Sequence, residues 1–314
     1  MTARVPSPEL SPMSTATPPI SQAPLAKKPR NLPLKDMREA ITDVWEHRDL
    51  LQQLTLRDIK LRYKQAVMGL AWAVFMPVLI VFSGLIIRFA MAQMSGQHLV
   101  GTEVADIALK GIAWAFFVGT LGFATSSLIG NANLVTKIYF PREVLPLSAV
   151  GAQLFDSSLG VCVLAVILPF LGVRLHLSLL WVPVLFALLI MFTTAAGLAL
   201  SCANLFFRDV KYIVQVILMF GIFFTPVFFE PSMLGARGAF LAMLNPLTGI
   251  LEGLRLSVIE GQSLLHPITT VLKGSVVPIW QPWELVYSAV WAIGGLIGAT
   301  TLFRRVQPLF AEYV

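Results

Sequence analysis

Asp156 stands inside an otherwise uncharged apolar stretch, residues 145–173. An acid held among apolar residues is costly and points to a use, as a proton acceptor, an ion-pair partner or a polar point on a passage. Catalysis would require companions at suitable spacing, and the sequence does not supply them. His47, His98, His176 and His266 lie in separate connections, with no HExxH pattern and no cysteine nearby to complete a metal site. Cys162 and Cys202 both fall inside apolar runs and read as packing residues, not as a disulfide or CxxC framework. There is no GxSxG nucleophile turn, and Glu230, Glu252, Glu260 and Glu284 read as single charges near helix ends. No GxxxxGK[ST] loop is present to cradle a nucleotide phosphate. The residues therefore predict no catalytic centre, no metal and no cofactor, and any energy for work must come from another chain.

Six long apolar runs must position whatever the polar residues do: 66–87, 111–135, 145–173, 177–207, 212–229 and 285–303. Each has about the 17–25 residues, or more, that a helix needs to cross the hydrocarbon core. In lipid a helix satisfies its own backbone groups, so the fold class is an all-α integral membrane protein with six transmembrane helices. The composition, 56% hydrophobic and 13% charged, is far from that of soluble domains. A net charge of +6 points to anionic lipid and not to nucleic acid, because the basic residues crowd around the membrane segments.

Residues 1–33 carry eight prolines and no apolar stretch, which predicts a disordered tail. Across 34–65, Met37, Ile41, Val44, Trp45, Leu51 and Leu54 recur at helical spacing, and Arg57, Lys60, Arg62 and Lys64 follow. This predicts an N-terminal amphipathic interfacial helix on the inner leaflet, although an ordinary solvent-facing helix has the same pattern. The six-span domain then runs over 66–314. With the N-terminus inside, seventeen Lys and Arg lie on the cytoplasmic side and six outside, which places both termini in the cytoplasm. Arg88, at the end of the first run, is expected to snorkel outward. The connection 230–284 is long, external and rich in Gly and Pro. Its apolar pieces 240–244 and 247–259 are too short to cross, and read as short re-entrant helices between spans five and six or as a small external cap.

Six stretches carry a resemblance: LTLRDIKLRYKQAVMGLAWAVFMP at 54–77, NLVTKIYFPREVLPLSAV at 133–150, NLFFRDVKYIVQVIL at 204–218, TPVFF at 225–229, LNPLTGILEGLR at 244–255 and FRRVQPLFAEYV at 303–314. Together they resemble, in order, the membrane permease subunits of ATP-binding-cassette exporters for cell-surface polysaccharides of the O-antigen, teichoic acid or capsule type. The proline-rich tail and a lengthened stretch at 266–282 depart from that pattern.

The resemblance implies a homodimer in the bacterial inner membrane, two separate nucleotide-binding ATPase subunits and a lipid-linked polysaccharide substrate. It implies ATPase-coupling contacts at Thr136, Lys137, Tyr139, Phe140, Pro141, Arg142 and Glu143, and on the interface helix at Arg57, Asp58, Lys60, Arg62 and Tyr63. Read without it, 136–145 is a plain loop in which Pro141 starts the next helix. Sugar rings stack on aromatic faces, so the resemblance makes Trp72, Phe75, Phe116, Phe117, Phe220, Phe223 and Phe224 conduit candidates, beside their default reading as packing or interfacial anchors. Asn245, Pro246, Glu252 and Arg255 become candidates for an outer gate over 244–259. Asp156 lines the conduit or a gate, or else is neutral or bonded to polar groups such as Ser157, Asn204 or Gln215 on neighbouring helices. Small residues at 195–201 and 294–298 permit close helix approach. Two other functions fit the residues: a drug or small-molecule exporter permease of the same superfamily, and an intramembrane glycan polymerase or transferase using Asp156 and Glu252 as acids.

Overall fold

The computed structural model describes residues 33–64, 69, 71–95, 100–174, 176–272 and 275–313. The proline-rich tail before residue 33 lies outside them, as do residues 65–68 at the expected start of the first span. The described chain runs α1 (Pro33–Glu46), α2 (Arg48–Tyr63), α3 (Ala71–Ser95), α4 (Gly101–Gly130), α5 (Ala132–Lys137), α6 (Val144–Ile167), α7 (Trp181–Phe206), α8 (Val210–Phe224), α9 (Gly235–Met243) and α10 (Pro246–Val258). A hairpin, β1 (Ile268–Leu272) with β2 (Ser275–Trp280), then leads into α11 (Pro282–Val306) and α12 (Phe310–Tyr313).

Five helical segments among the described residues are long and apolar enough to cross a membrane: Ala71–Met94, Gly101–Gly130, Val144–Leu171, Leu177–Phe206 and Pro282–Leu309. The chain is a multi-pass membrane protein. The fifth expected span differs, because α8 has 15 residues and rises about 22 Å at 1.5 Å per residue, short of a ~30 Å core. Its end is set by Pro226, which drives the preceding residue out of the helical region; Thr225 is extended at φ −106°, ψ 128°. The rest of that run, Val227 and Phe228, is buried in the main core.

The central helix is α4, which packs against α3, α6, α7, α8 and α10, while α11 lies along α7. An added Cβ on Gly295 of α11 would meet Ala195 of α7 at 3.6 Å, so these small residues serve packing within the chain. The N-terminal amphipathic region is two helices that break at His47, and its apolar residues divide. Leu54 is buried and Val44 and Leu51 pack on the core, whereas Ile41 and Trp45 are exposed.

Between α8 and α11 the two expected short helices are present as α9 and α10. Asn245 caps α10 by accepting from the Leu247 amide at 3.1 Å, and Pro246 occupies its first position. From Leu247 to Val258 every residue of α10 is buried, against α4, α7 and α11. The lengthened stretch is a β-hairpin, with Pro278 beside a register irregularity as a strand proline requires. Trp280 anchors it: fully buried, its indole donates to the Leu264 carbonyl at 3.0 Å. A box of Gln281 and Glu284 around Pro282 starts α11.

Candidate functional site

A cavity of about 1120 Å³ opens between α2, α3, α4, α6 and α8. Its wall is mostly apolar, with Trp72, Pro77, Trp114 and Phe123 on α3 and α4, and Gln153, Asp156 and Gln215 supplying polar points. Gly122 leaves the α4 wall bare, since an added Cβ there would meet nothing within 4 Å. Asp156 lines the cavity, and its partners are not Ser157, Asn204 or Gln215. It forms an ion pair with Arg62 and accepts from the Tyr63 hydroxyl at 2.5 Å, both at the end of α2. Arg62 also donates to Gln153 at 3.0 Å and lies over the Phe123 ring at 3.8 Å. Burial, and then Asp156 itself, push the Tyr63 hydroxyl above the ordinary phenol range, so it stays a donor. The amide of Asn204 is engaged elsewhere, donating to the Thr125 carbonyl at 2.9 Å.

A second cavity of about 630 Å³ shares Trp114 and Leu218 with the first, and is lined by Phe117, Phe192, Phe220, Phe224 and Asn245. The aromatic conduit candidates thus divide. Trp72 faces the first cavity, and Phe117, Phe220 and Phe224 face the second. Phe116 is buried against Phe186, with centroids 6.2 Å apart, and lines neither. Phe75 packs edge-on to Trp72 at 5.4 Å, and Phe223 is exposed on α8; neither lines a cavity. Pro246 starts α10 and its carbonyl accepts from Ser288 at 3.0 Å.

The segment that follows α5 separates into an outer and an inner half. Thr136 is exposed and bonds back to the Ala132 carbonyl; Lys137 is also exposed. Ile138 is exposed and Tyr139 is fully so, at 103% of its reference area. Phe140 turns into the core, and Pro141 begins the turn that enters α6. Arg142 and Glu143 face inward. Arg142 donates to the Gln307 carbonyl at 2.6 Å and the Val135 carbonyl at 3.3 Å, and lies over Phe310. Glu143, only 2% exposed, pairs with Arg304 at 3.1 Å, which also reaches Asp43 at 2.5 Å and Glu39 at 3.5 Å. Burial pushes the Glu143 carboxyl up, against the pull of Arg304. The segment is therefore clamped to α11 and α1 from beneath while Ile138 and Tyr139 project. On α2, Arg57 pairs with Asp58 at 2.8 Å, Asp58 accepts from Ser148 of α6 at 2.8 Å, and Lys60 is exposed.

At the opposite end of α4 the lone-charge reading of Glu230, Glu252 and Glu260 is corrected. Glu252 and Lys110 are both fully buried and pair at 3.1 Å, Lys110 also pairing with Asp106 at 3.0 Å. Arg255 pairs with Glu252 at 2.5 Å, with Glu260, and with Glu230 at 3.9 Å. Arg88 does not snorkel outward: it is buried and pairs with Glu230 at 3.2 Å and Glu103 at 3.5 Å. Glu252 and Arg255 line neither cavity. The signal for this group was the i,i+4 spacing of Asp106 and Lys110 and the i,i+3 spacing of Glu252 and Arg255.

Of the five membrane-length helices, α3, α4 and α6 wall the large, mostly apolar cavity together with α2 and α8, an arrangement that suits a membrane transport protein. The model of the ABC-2 type transporter family matches residues 49–259, and the chain belongs to that family. Among its relatives is an O-antigen export system permease protein RfbA of Klebsiella pneumoniae, 28% identical over 207 residues that cover 65% of this chain and 77% of the relative. A protein of the same description from Myxococcus xanthus is 26% identical over 252 residues, covering 78% and 94% respectively.

Proposed function

We propose that this chain is the permease half of an exporter that carries a lipid-linked, O-antigen-like polysaccharide outward across the bacterial inner membrane. Two copies work with two separate ATP-binding subunits, which hydrolyse ATP and press on the Ile138–Tyr139 corner. Both termini are cytoplasmic, as the seventeen-to-six distribution of Lys and Arg favours. The observation that carries the reading is the similarity to O-antigen export permeases through 207 to 252 residues. The cavities support it: moving many hydroxyl groups through bare hydrocarbon is prohibitive without polar partners, and the two adjoining cavities offer aromatic faces with Gln153, Gln215 and Asn245 between them. In this scheme the cavity beside α2 faces the cytoplasmic leaflet, and α10 closes the outer end.

Depletion of the chain in its host tests the reading. Surface glycan should disappear while lipid-linked glycan accumulates on the cytoplasmic side. Intact surface glycan with no internal pool, together with altered drug resistance, would move the assignment to a small-molecule exporter.

A further inference from the structure

The ion pairs at the α10 end form one continuous chain of alternating sign: Glu103, Arg88, Glu230, Arg255, Glu252, Lys110 and Asp106, with Glu260 branching from Arg255. It joins α3, α4, the turn after α8 and α10. Five carboxylates face three cations, and the pair at its core, Lys110 and Glu252, has no side-chain exposure at all. Of the pairs formed by described residues, Lys110–Glu252 is the one that ties α4 to α10.

Burying charge is a poor way to stabilise a fold, because apolar residues of similar volume usually do as well or better. What a buried pair adds is sensitivity to water. In a dry seam, separating Lys110 from Glu252 forfeits their low-dielectric attraction and leaves each only the partner on its own helix, Asp106 or Arg255. In a seam that has filled with water and hydroxyl groups, each charge is solvated as it leaves. Apolar packing alone has the opposite dependence, since wetting opposes its separation.

We propose that Lys110 is the positioning residue that holds α10 against α4 as the closed outer seal of the transport path, and that its pair with Glu252 parts when the path fills with water and glycan. Removing Lys110 leaves the acidic side of the chain in excess, so repulsion adds to the loss of the tie. Asp106 lies on the same helix as Lys110 and contributes no tie between elements. The inference rests on the export reading for the identity of the outer end, but the Lys110 dependence does not.

The test uses the full transporter, this chain with its ATP-binding partner in proteoliposomes, in a Cys162→Ser/Cys202→Ser background carrying Ser257→Cys, a fully buried position on α10. A membrane-impermeant maleimide should label the parent slowly at rest and at least about tenfold faster during ATP hydrolysis, the factor that follows from about 1.4 kcal/mol. Lys110→Met should label at the fast rate without ATP and gain nothing from it, while Lys110→Arg restores the slow resting rate and Asp106→Asn keeps it. If Lys110→Met does not assemble, Lys110→Met/Glu252→Leu puts apolar packing in place of the tie, which wetting does not part, and should label slowly both at rest and during ATP hydrolysis. Labelling in that double variant that still rises with ATP as in the parent would overturn the proposal. Labelling that depends on Lys110 but occurs only from the ATPase side would sink the outward orientation and leave the seal standing.

Discussion

Arg304→Met is expected to destabilise the chain by about 3 kcal/mol, nearly all of it through Glu143. The two side chains are 13% and 3% exposed and 3.1 Å apart, and deleting one member of a buried pair costs about 3–5 kcal/mol. The carboxylate can escape by taking a proton. From its ordinary value of 4.5 to pH 7 that route costs about 3.4 kcal/mol, at 1.36 kcal/mol per unit, which sets a ceiling. Burial already pushes Glu143 up in the parent, so the true loss lies somewhat below it. Asp43 and Glu39, with side chains 44% and 36% exposed, add only tenths of a kcal/mol each after solvent screening. The assay is a double-mutant cycle with Glu143→Gln, followed by unfolding in detergent micelles. Arg304→Met/Glu143→Gln should recover most of the loss, giving a coupling of about 2 kcal/mol. The sign with pH is fixed. A carboxyl whose folded value is raised binds protons more tightly than the unfolded chain, and losing Arg304 raises it further, so the deficit of Arg304→Met against the parent opens as pH rises through the parent's raised value and closes below it. Additive losses, or a single variant within about 0.5 kcal/mol of the parent, would refute the clamp.

On the projecting corner, Tyr139→Ala should leave stability within about 0.5 kcal/mol of the parent and weaken association with the ATP-binding subunits about tenfold, read by co-purification titration; unchanged association removes Tyr139 from the docking surface. Gly122→Leu meets open space and gains roughly 0.5–1 kcal/mol of helix propensity, yet it fills the larger cavity, so export of long chains should fall while membrane insertion holds. Normal export in that variant would place the cavity off the path. In a Cys162/Cys202-free background, single cysteines at Lys137 and Arg305 should be shielded from an impermeant thiol reagent in intact cells, and one at Arg237 labelled; the reverse pattern would invert the topology.

The membrane class and most of the helices were legible in the sequence, because a run of about twenty apolar residues has few alternatives in lipid. What escaped was decided by single residues or by distant pairing. Pro226 shortens α8, although hydropathy runs on to Phe229. The hairpin has its signal in the β-branched residues Ile268, Thr269, Thr270, Val276, Val277 and Ile279, but Pro267, Gly274, Pro278 and Pro282 interrupt it. Arg142 and Glu143 sit beside Tyr139 in sequence, but Pro141 turns the chain between them, so only Tyr139 projects while the two charges bind Gln307 and Arg304 more than 150 residues away. Asp156 was visible as an anomaly, whereas its partners Arg62 and Tyr63 lie 94 and 93 positions upstream. Local spacing holds no information about such pairs.

The central claim is tested most directly by reconstituting the purified chain with its ATP-binding partner in liposomes loaded on one leaflet with fluorescent lipid-linked glycan, and measuring its appearance on the opposite leaflet with an impermeant lectin. ATP-dependent translocation, absent without this chain and absent with an ATPase-dead partner, is the predicted result. Translocation that needs neither ATP nor this chain, or ATP-driven movement of small apolar compounds but not of the glycan, would contradict it.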